Sequence, residues 1–486
     1  LRKGLAPERS FSQCLFAAQH EDRDAQYHMG MAYQFGTPPN YAKAFDWYSK
    51  AADQIHAGAQ IRLGLMYQQG LGVPQDYGEA LRWYRLAAEQ GYSVAQYYLG
   101  LLYLDGQGVT QDLNEALRWL RKSAEQGFAS AQDELGRAYS QGAGVPLDYG
   151  EAMRWFRLAA EQGHAPSQNR LGVIYDEGRC GTPDYGEALR WYTKAAEQED
   201  AAAQHNLAYL YVNGEGVKRD YGEAVRWLRK SAEQGFAAAQ DKLGLLYLQG
   251  LGLTKDYSEA LRWLRPAAEH GIADAQNRLG AMYDRGLAVA QDSAEAARWY
   301  RTAAEQGHPA AQSNLAFLYW QGRGVALGHD EALKWFRIGA EQGDPMVQHN
   351  LAQFYEDQKQ DHEEAVRWYR QAAEQGLAAS QNSLGLAYHL GRGVEQDYAE
   401  AARWYRQAAE QGFAAAYFNL GILYADGQGS PEDCVQAYAY ISLAADQGDN
   451  DARSYMESLG AVMTCEQLAE ARQRAREWRA RHVLVN

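Results

Sequence analysis

Repeatedly along this chain an aspartate is followed three residues later by a glutamate, as at Asp76 and Glu79, Asp112 and Glu115, Asp148 and Glu151, Asp184 and Glu187, Asp220 and Glu223, Asp256 and Glu259, Asp292 and Glu295, and Asp397 and Glu400. Paired carboxylates are the raw material of general acid–base chemistry, one held protonated and the other ionised. A second series, the G-x-G segments beginning at Gly70, Gly106, Gly142, Gly214, Gly250, Gly322 and Gly427, has the composition of loops that cradle phosphate. Neither series survives its context as chemistry. Each D-x-x-E stands just before an apolar helical stripe, where Asp accepts from the first free amides and the pair reads as a capping box. The G-x-G segments lack a following GK[ST] and join helix to helix, whereas a phosphate loop leaves a strand. They are turns.

Metal and thiol chemistry fare no better. The 12 histidines show no H-E-x-x-H or comparable spacing, and His205 and His349 share a repeat position four copies apart, beyond reach of one ion. Four cysteines, Cys14, Cys180, Cys434 and Cys465, have no short metal spacing. Cys434 and Cys465 stand at expected helix starts, which lower thiol pKa values, but otherwise read as two ordinary thiols, and their pairing is left open. Nothing gathers a nucleophile, a base and oxyanion donors in one place. No cofactor is expected.

The elements behind these residues come from a period. Trp47, Trp83, Trp119, Trp155, Trp191, Trp227, Trp263, Trp299, Trp335, Trp368 and Trp404 follow one another at a nearly constant step, and so do Gln26, Gln60, Gln96, Gln132, Gln168, Gln204, Gln240, Gln276, Gln312, Gln348 and Gln381. Tyr417 replaces Gln in a twelfth copy and Tyr440 replaces Trp. Self-similarity at this spacing marks one supersecondary unit stacked many times. In the second copy Leu63, Met66 and Tyr67 recur at three and four residues and predict an amphipathic helix A; Gly70, Gly72 and Pro74 break it. Asp76 opens helix B, whose stripe is Ala80, Trp83, Tyr84 and Ala87, and Gly91 closes it in the left-handed conformation.

The recurring pattern A-Q-x-x-L-G-x-x-Y, then G-x-G-V-x-x-D-Y-x-E-A-x-x-W-Y-x-x-A-A-E-Q-G, resembles the Sel-one-like repeat (SLR) family, relatives of the tetratricopeptide repeat, over nearly the whole chain. The resemblance implies an all-α, right-handed α/α superhelical solenoid of about twelve repeats, with helix A on the concave face and helix B on the convex face. It also implies an adaptor that holds protein complexes together in a bacterial envelope or secretion setting, without cofactor. The same family resemblance admits an immunity or inhibitor protein that neutralises a secreted toxin or effector enzyme. An enzyme acting on cell-wall fragments is the third reading, weakened because this chain lacks the cysteine pair in each repeat of the relatives proposed for that role.

The organisation expected is an N-terminal half-repeat cap over residues 1–24, twelve repeats over 25–448, and C-terminal capping helices over 449–486. Phe11 to Asp24 reads as the second half of a helix B. Ala452 to Leu459 and Thr464 to His482 read as two closing helices, the second with Leu468, Ala471, Ala475 and Trp478 on one stripe and Thr464 and Gln467 as its capping box. Residues 356–367 omit the G-x-G-V turn, so the tenth copy is short and curvature is expected to change there. Glu199 replaces the glycine that ends other helices B, which calls for a different cap or marks drift tolerated at about 1 kcal/mol.

With 486 residues, a net charge of -15 and a pI near 5.3, the chain is a poor match for nucleic acid or an anionic bilayer, which need clustered Lys and Arg. A basic or neutral protein partner fits better. No segment approaches the roughly 20 apolar residues of a membrane span, and the mean hydropathy is -0.57. Leu1 is not a methionine, so the sequence reads as trimmed, either by signal cleavage or by an engineered end; a periplasmic or exported setting is expected, with the cytoplasm as the alternative.

Core positions of a repeat are fixed by stacking, so a partner site is sought at helix A positions one, five, eight and nine after the Gln. These give an apolar front with Tyr27, Met31, Ile61, Leu65, Tyr97 and Leu101. The middle brings Asp133, Arg137, Asn169, His205, Tyr209 and Val212, followed by Asp284, Phe317, Trp320, His349, Glu356 and Asp357. The residues selected as partner-binding on the concave face are Tyr97, Leu101, His205, Tyr209, Asp284, Phe317, Trp320, Glu356 and Asp357. Trp320 lies outside the helix B series and reads either as a groove anchor or as packing at a repeat junction. Asp284, Glu356 and Asp357 would suit a Lys or Arg of the partner.

Overall fold

The computed structural model describes residues 11–428 and 432–482. Among them are 27 α-helices and one π-helical turn, with no strand. The chain forms two compact units, Leu1–Thr254 and Lys255–Asn486. Within each unit the order is the same: helix A packs along its own helix B, and helix B packs against the next helix A. In the second copy these are Ala57–Gln69 and Tyr77–Glu89.

The glutamine period has a physical cause. Each helix A Gln is buried and reaches backward to a main-chain carbonyl of the preceding helix B, as Gln132 Nε2 does to Ala124 O (3.1 Å) and Gln168 Nε2 to Ala160 O (3.0 Å). Except at Gln240, where His270 takes the place of the helix-ending Gln, its own side-chain oxygen accepts from the Gln that ends its own helix B, as Gln162 Nε2 does on Gln132 Oε1 and Gln198 Nε2 on Gln168 Oε1, both at 2.7 Å. One side chain thus satisfies a helix-end carbonyl of one copy and is satisfied by the next element. The conserved spacing is the spacing of that relay.

Small residues set how closely the pair can approach. A Cβ on Gly64 would sit 2.5 Å from the Tyr84 ring, so helix A lies flat on the aromatic of helix B. The two turn glycines differ in role. Gly70 takes φ 68° to end helix A, while Gly72 at φ 74° presses against the backbone of Tyr41, where a Cβ would come within 2.7 Å.

Helix B starts as expected from Asp, with one difference. Asp76 accepts from the amides of Gly78 (2.8 Å) and Glu79 (3.1 Å), but Glu79 does not complete the box. The Asp76 amide already donates to Tyr67 O of helix A (3.0 Å), and Glu79 pairs with Arg82 (3.0 Å). The same Asp caps with Glu–Arg pairs recur at Asp112 and Glu115, Asp220 and Glu223, and Asp397 and Glu400. Glu199 adopts φ 68°, and its amide donates to Ala196 O (3.1 Å) as Gly163 does to Ala160 O (3.0 Å). The cap is therefore retained with a non-glycine residue. In the tenth copy a π-helical turn, Tyr355–Lys359, stands where other copies have the G-x-G turn, and Gln360 at φ 50° ends it.

At the front, Phe11–Gln19 forms a helix whose Ala18 carbonyl receives Gln26 Nε2 (3.1 Å), the role that helices B fill elsewhere. At the back, helices Asn450–Val462 and Cys465–His482 follow the last repeat. Thr464 and Gln467 make both legs of a capping box (2.9 and 3.2 Å), and Ala471 and Ala475 are buried. Trp478 Nε1 donates to the hydroxyl of Tyr417 (3.2 Å), and its ring packs edge-on against Tyr440. The two departures from the period are thus answered together by the closing helix. Cys434 and Cys465 are free thiols. At Cys434 burial and the neighbouring Glu432 raise the thiol pKa, against the lowering that a helix start favours.

Candidate functional site

The helix A positions proposed for partner contact divide into two kinds. Position one after the Gln faces the neighbouring helix A and locks it. Asp133, buried, receives Arg170 from the next copy at 2.7 Å and Ser167 Oγ at 2.6 Å. Asn206 Nδ2 donates to Asn169 (3.0 Å), Asn314 to Asn277 (2.9 Å), Asn350 to Ser313 (2.9 Å) and Asn419 to Asn382 (2.9 Å). Apart from that of Ser167, which precedes Gln168, each bond joins position one of one copy to position two of the next. The expectation that position one is free for a partner is corrected at these junctions, because the polar side chain there is consumed by stacking.

At the junction between the sixth and seventh copies the same two positions hold His205 and Lys242. No hydrogen bond joins His205 to Lys242 among the described residues, and the space between helices Ala201–Asn213 and Ala237–Gln249 opens into a cavity of about 260 Å³. His205, Tyr209 and Val212 line it from one side, Lys242, Leu245 and Gln249 from the other, and Leu228 of helix Tyr221–Glu233 forms part of its lining. Burial lowers the His205 pKa below its usual 6.5; the side-chain contact with Asn206 (3.2 Å) opposes this and Lys242 adds to it. The ring lies 5.4 Å from that of Phe236. Tyr209 is 48% exposed. The structure thus brings His205 and Tyr209 together at one cavity. Lys242 was missed because position two was not considered, while Leu245 and Gln249, at positions five and nine after Gln240, were not singled out; the signal was a lysine at position two following a histidine at position one.

The other selected residues lie elsewhere. Tyr97 and Leu101 are half-buried; the Tyr97 ring packs 5.2 Å from Phe128, and its hydroxyl is pushed up to about 12 by burial first and Glu134 second. Phe317 and Trp320 stack on each other at 5.6 Å, and Trp320 meets Phe354 of the next copy edge-on at 5.4 Å and Phe336 of helix B at 6.2 Å. Of the two readings open for Trp320, the geometry is that of packing at a repeat junction. Asp284 is engaged by Arg323 (2.6 Å) and by Ser293 Oγ (3.2 Å), and Glu356 accepts from the Tyr369 hydroxyl (2.9 Å). Asp357 is exposed on the π-helical turn.

A stack of helix pairs with an apolar, polar-rimmed cavity on its helix A surface defines a helical-repeat scaffold suited to protein–protein interaction. Twelve successive segments match the Sel1 repeat: residues 23–56, 57–92, 93–128, 129–164, 165–200, 201–236, 237–272, 273–308, 309–344, 345–377, 378–413 and 414–449. The chain belongs to the Sel1 repeat family. It is similar to the crystal structure of a protective antigen present in uropathogenic Escherichia coli strains and displaying an SLR fold, with 39% identity over 90% of this chain and 95% of that one and a TM-score of 0.76. A Sel1 repeat protein from Oxalobacter formigenes is 31% identical over 73% of this chain and 97% of its own, with a TM-score of 0.50. An immunity protein from Pseudomonas aeruginosa shares 22% identity over 45% of this chain and 83% of its own at a TM-score of 0.32, a likeness of fold alone. Comparison with curated protein sequences gives no match. No helix among the described residues is long and apolar enough to cross a membrane.

Proposed function

We propose that this chain is a non-catalytic scaffold that binds a protein partner on its helix A surface, with the cavity around His205 and Tyr209 as an anchoring point. The observation that carries the reading is the broken lock at this junction. At five other junctions positions one and two join neighbouring helices by hydrogen bonds; here that bond, worth about 1 kcal/mol, is not made, and a cavity is left with a half-exposed tyrosine on its rim. Tyrosine in such a place supplies large contact area at low entropic cost, the character of an interface anchor. The net charge of -15 favours a neutral or basic protein over nucleic acid. Likeness to a protective antigen supports an exported setting in a bacterial envelope.

Affinity capture from lysate of the source organism, with the intact chain and a Tyr209→Ala, Leu245→Arg variant side by side, tests this. Partners held by the intact chain and lost from the variant support the scaffold and its anchor. One captured enzyme that is inhibited by the intact chain narrows the role to an inhibitor or immunity protein. The same proteins held equally by both baits would contradict the anchor.

A further inference from the structure

The Asp133–Arg170 junction shows what the His205–Lys242 junction lacks. At the first, a cation at position two is met by a carboxylate at position one of the preceding copy, both oxygens of Asp133 lying 2.7 Å from one guanidinium nitrogen. At the second, the cation is retained as Lys242 but the carboxylate is replaced by His205, and Lys242 makes no ion pair or side-chain hydrogen bond among the described residues. The chain carries 62 acidic residues, yet none of the twelve that line this cavity is an acid. Lys242 is partly buried in a lining with four leucines and no acid, an arrangement whose charge is complementary to an incoming anion.

We propose that this cavity accepts one apolar side chain of a partner peptide together with a carboxylate next to it, the carboxylate meeting Lys242 in place of the acid that closes the Asp133 junction. This deepens the scaffold reading above and rests on it. The cavity of about 260 Å³ is below the usual range for a whole small-molecule ligand, roughly 300–1,000 Å³, and is of the size of one or two side chains. Leu228, Leu245, Leu246 and Leu251 give it an apolar floor, while Lys242 and Gln249 supply the donors. The acid that the chain's net charge disfavours globally is selected locally, because the contact with Lys242 is short-ranged while the bulk field is screened beyond roughly 8 Å at physiological salt.

The test is selection of a random nine-residue peptide library displayed on phage against the full chain, repeated against Lys242→Glu and Lys242→Met variants whose melting curves match the parent. The proposal expects peptides with Asp or Glu adjacent to Leu, Ile, Phe or Met. Their binding should weaken about tenfold or more with Lys242→Met, and the acidic preference should turn to Lys or Arg with Lys242→Glu. Peptides that bind the parent and both variants equally would overturn the cavity's role while leaving the scaffold reading intact, since binding then occurs on another part of the surface. Peptides sensitive to Lys242 but without an adjacent apolar residue, or no enriched peptide at all, would also overturn it. Loss of the native partner from the Tyr209→Ala, Leu245→Arg bait, measured separately, tells failure of the anchor from failure of the acid preference.

Discussion

Arg170 reaches across from the fifth helix A to place one guanidinium nitrogen 2.7 Å from both oxygens of Asp133 on the fourth, an acid whose side chain is 7% exposed while that of the arginine is 36% exposed. The two ends of the pair are therefore unequal. Removing the acid leaves a cation that can turn toward water; removing the cation leaves a buried carboxylate held by the Ser167 hydroxyl, with His164 Nδ1 3.9 Å away.

From this inequality, Arg170→Ala is expected to cost more than Asp133→Ala, about 3 kcal/mol against about 1–2 kcal/mol. Urea unfolding of the two variants checks the order by their midpoints. Equal losses would mean that the burial of the acid carries no penalty.

The glutamine relay predicts a second loss. Gln168 donates to Ala160 O and accepts from Gln198, and it is 4% exposed. Gln168→Ala leaves a helix-end carbonyl and an amide without partners and a small cavity, at about 2–4 kcal/mol. Gln90→Ala removes the donor to Gln60 Oε1 but leaves the Gln60 bond to Ala52 O in place, and should cost less, about 1 kcal/mol. Thermal unfolding of both variants distinguishes a relay from a merely repeated residue.

Four histidines, His56, His205, His349 and His389, have folded pKa values lowered from 6.5, each by burial first. The sign follows directly. With the folded pKa below the unfolded one, the unfolded chain binds protons first as pH falls, so stability is unaffected above about pH 6.5 and declines as pH drops through that value toward the folded pKa values. Melting temperatures should fall between pH 7.5 and pH 5, and His205→Gln with His349→Gln should flatten part of that slope. Proton NMR titration of the His205 ring should give a midpoint below 6.5; one above it would contradict the burial argument.

The period made most of the fold legible. Gln132, Trp155 and Asp148 each recur so often that their shared role could be read from position alone, and the closing stripe of Ala471, Ala475 and Trp478 followed from helical spacing. What the period could not give is which helix A residues face a neighbouring helix A, because that depends on how far one helix is displaced along the next. Asp133 and Asn169 thus looked like groove residues, and Lys242 was passed over. Trp320 was ambiguous for a related reason: position eight sits at the edge of the junction, and only the neighbouring Phe336 and Phe354 draw its ring into packing.

The most direct test of the central claim is site-specific photocrosslinking in the source organism. A benzophenone amino acid is placed at Tyr209, on the rim of the cavity, and in parallel at Leu158, 39% exposed on helix Tyr149–Glu161, a helix B. The account predicts a discrete protein adduct from position 209 that is absent from position 158 and is lost when Lys242→Glu is added. Adducts from position 158 with none from position 209 would contradict a partner surface on helix A and move it to the helix B side.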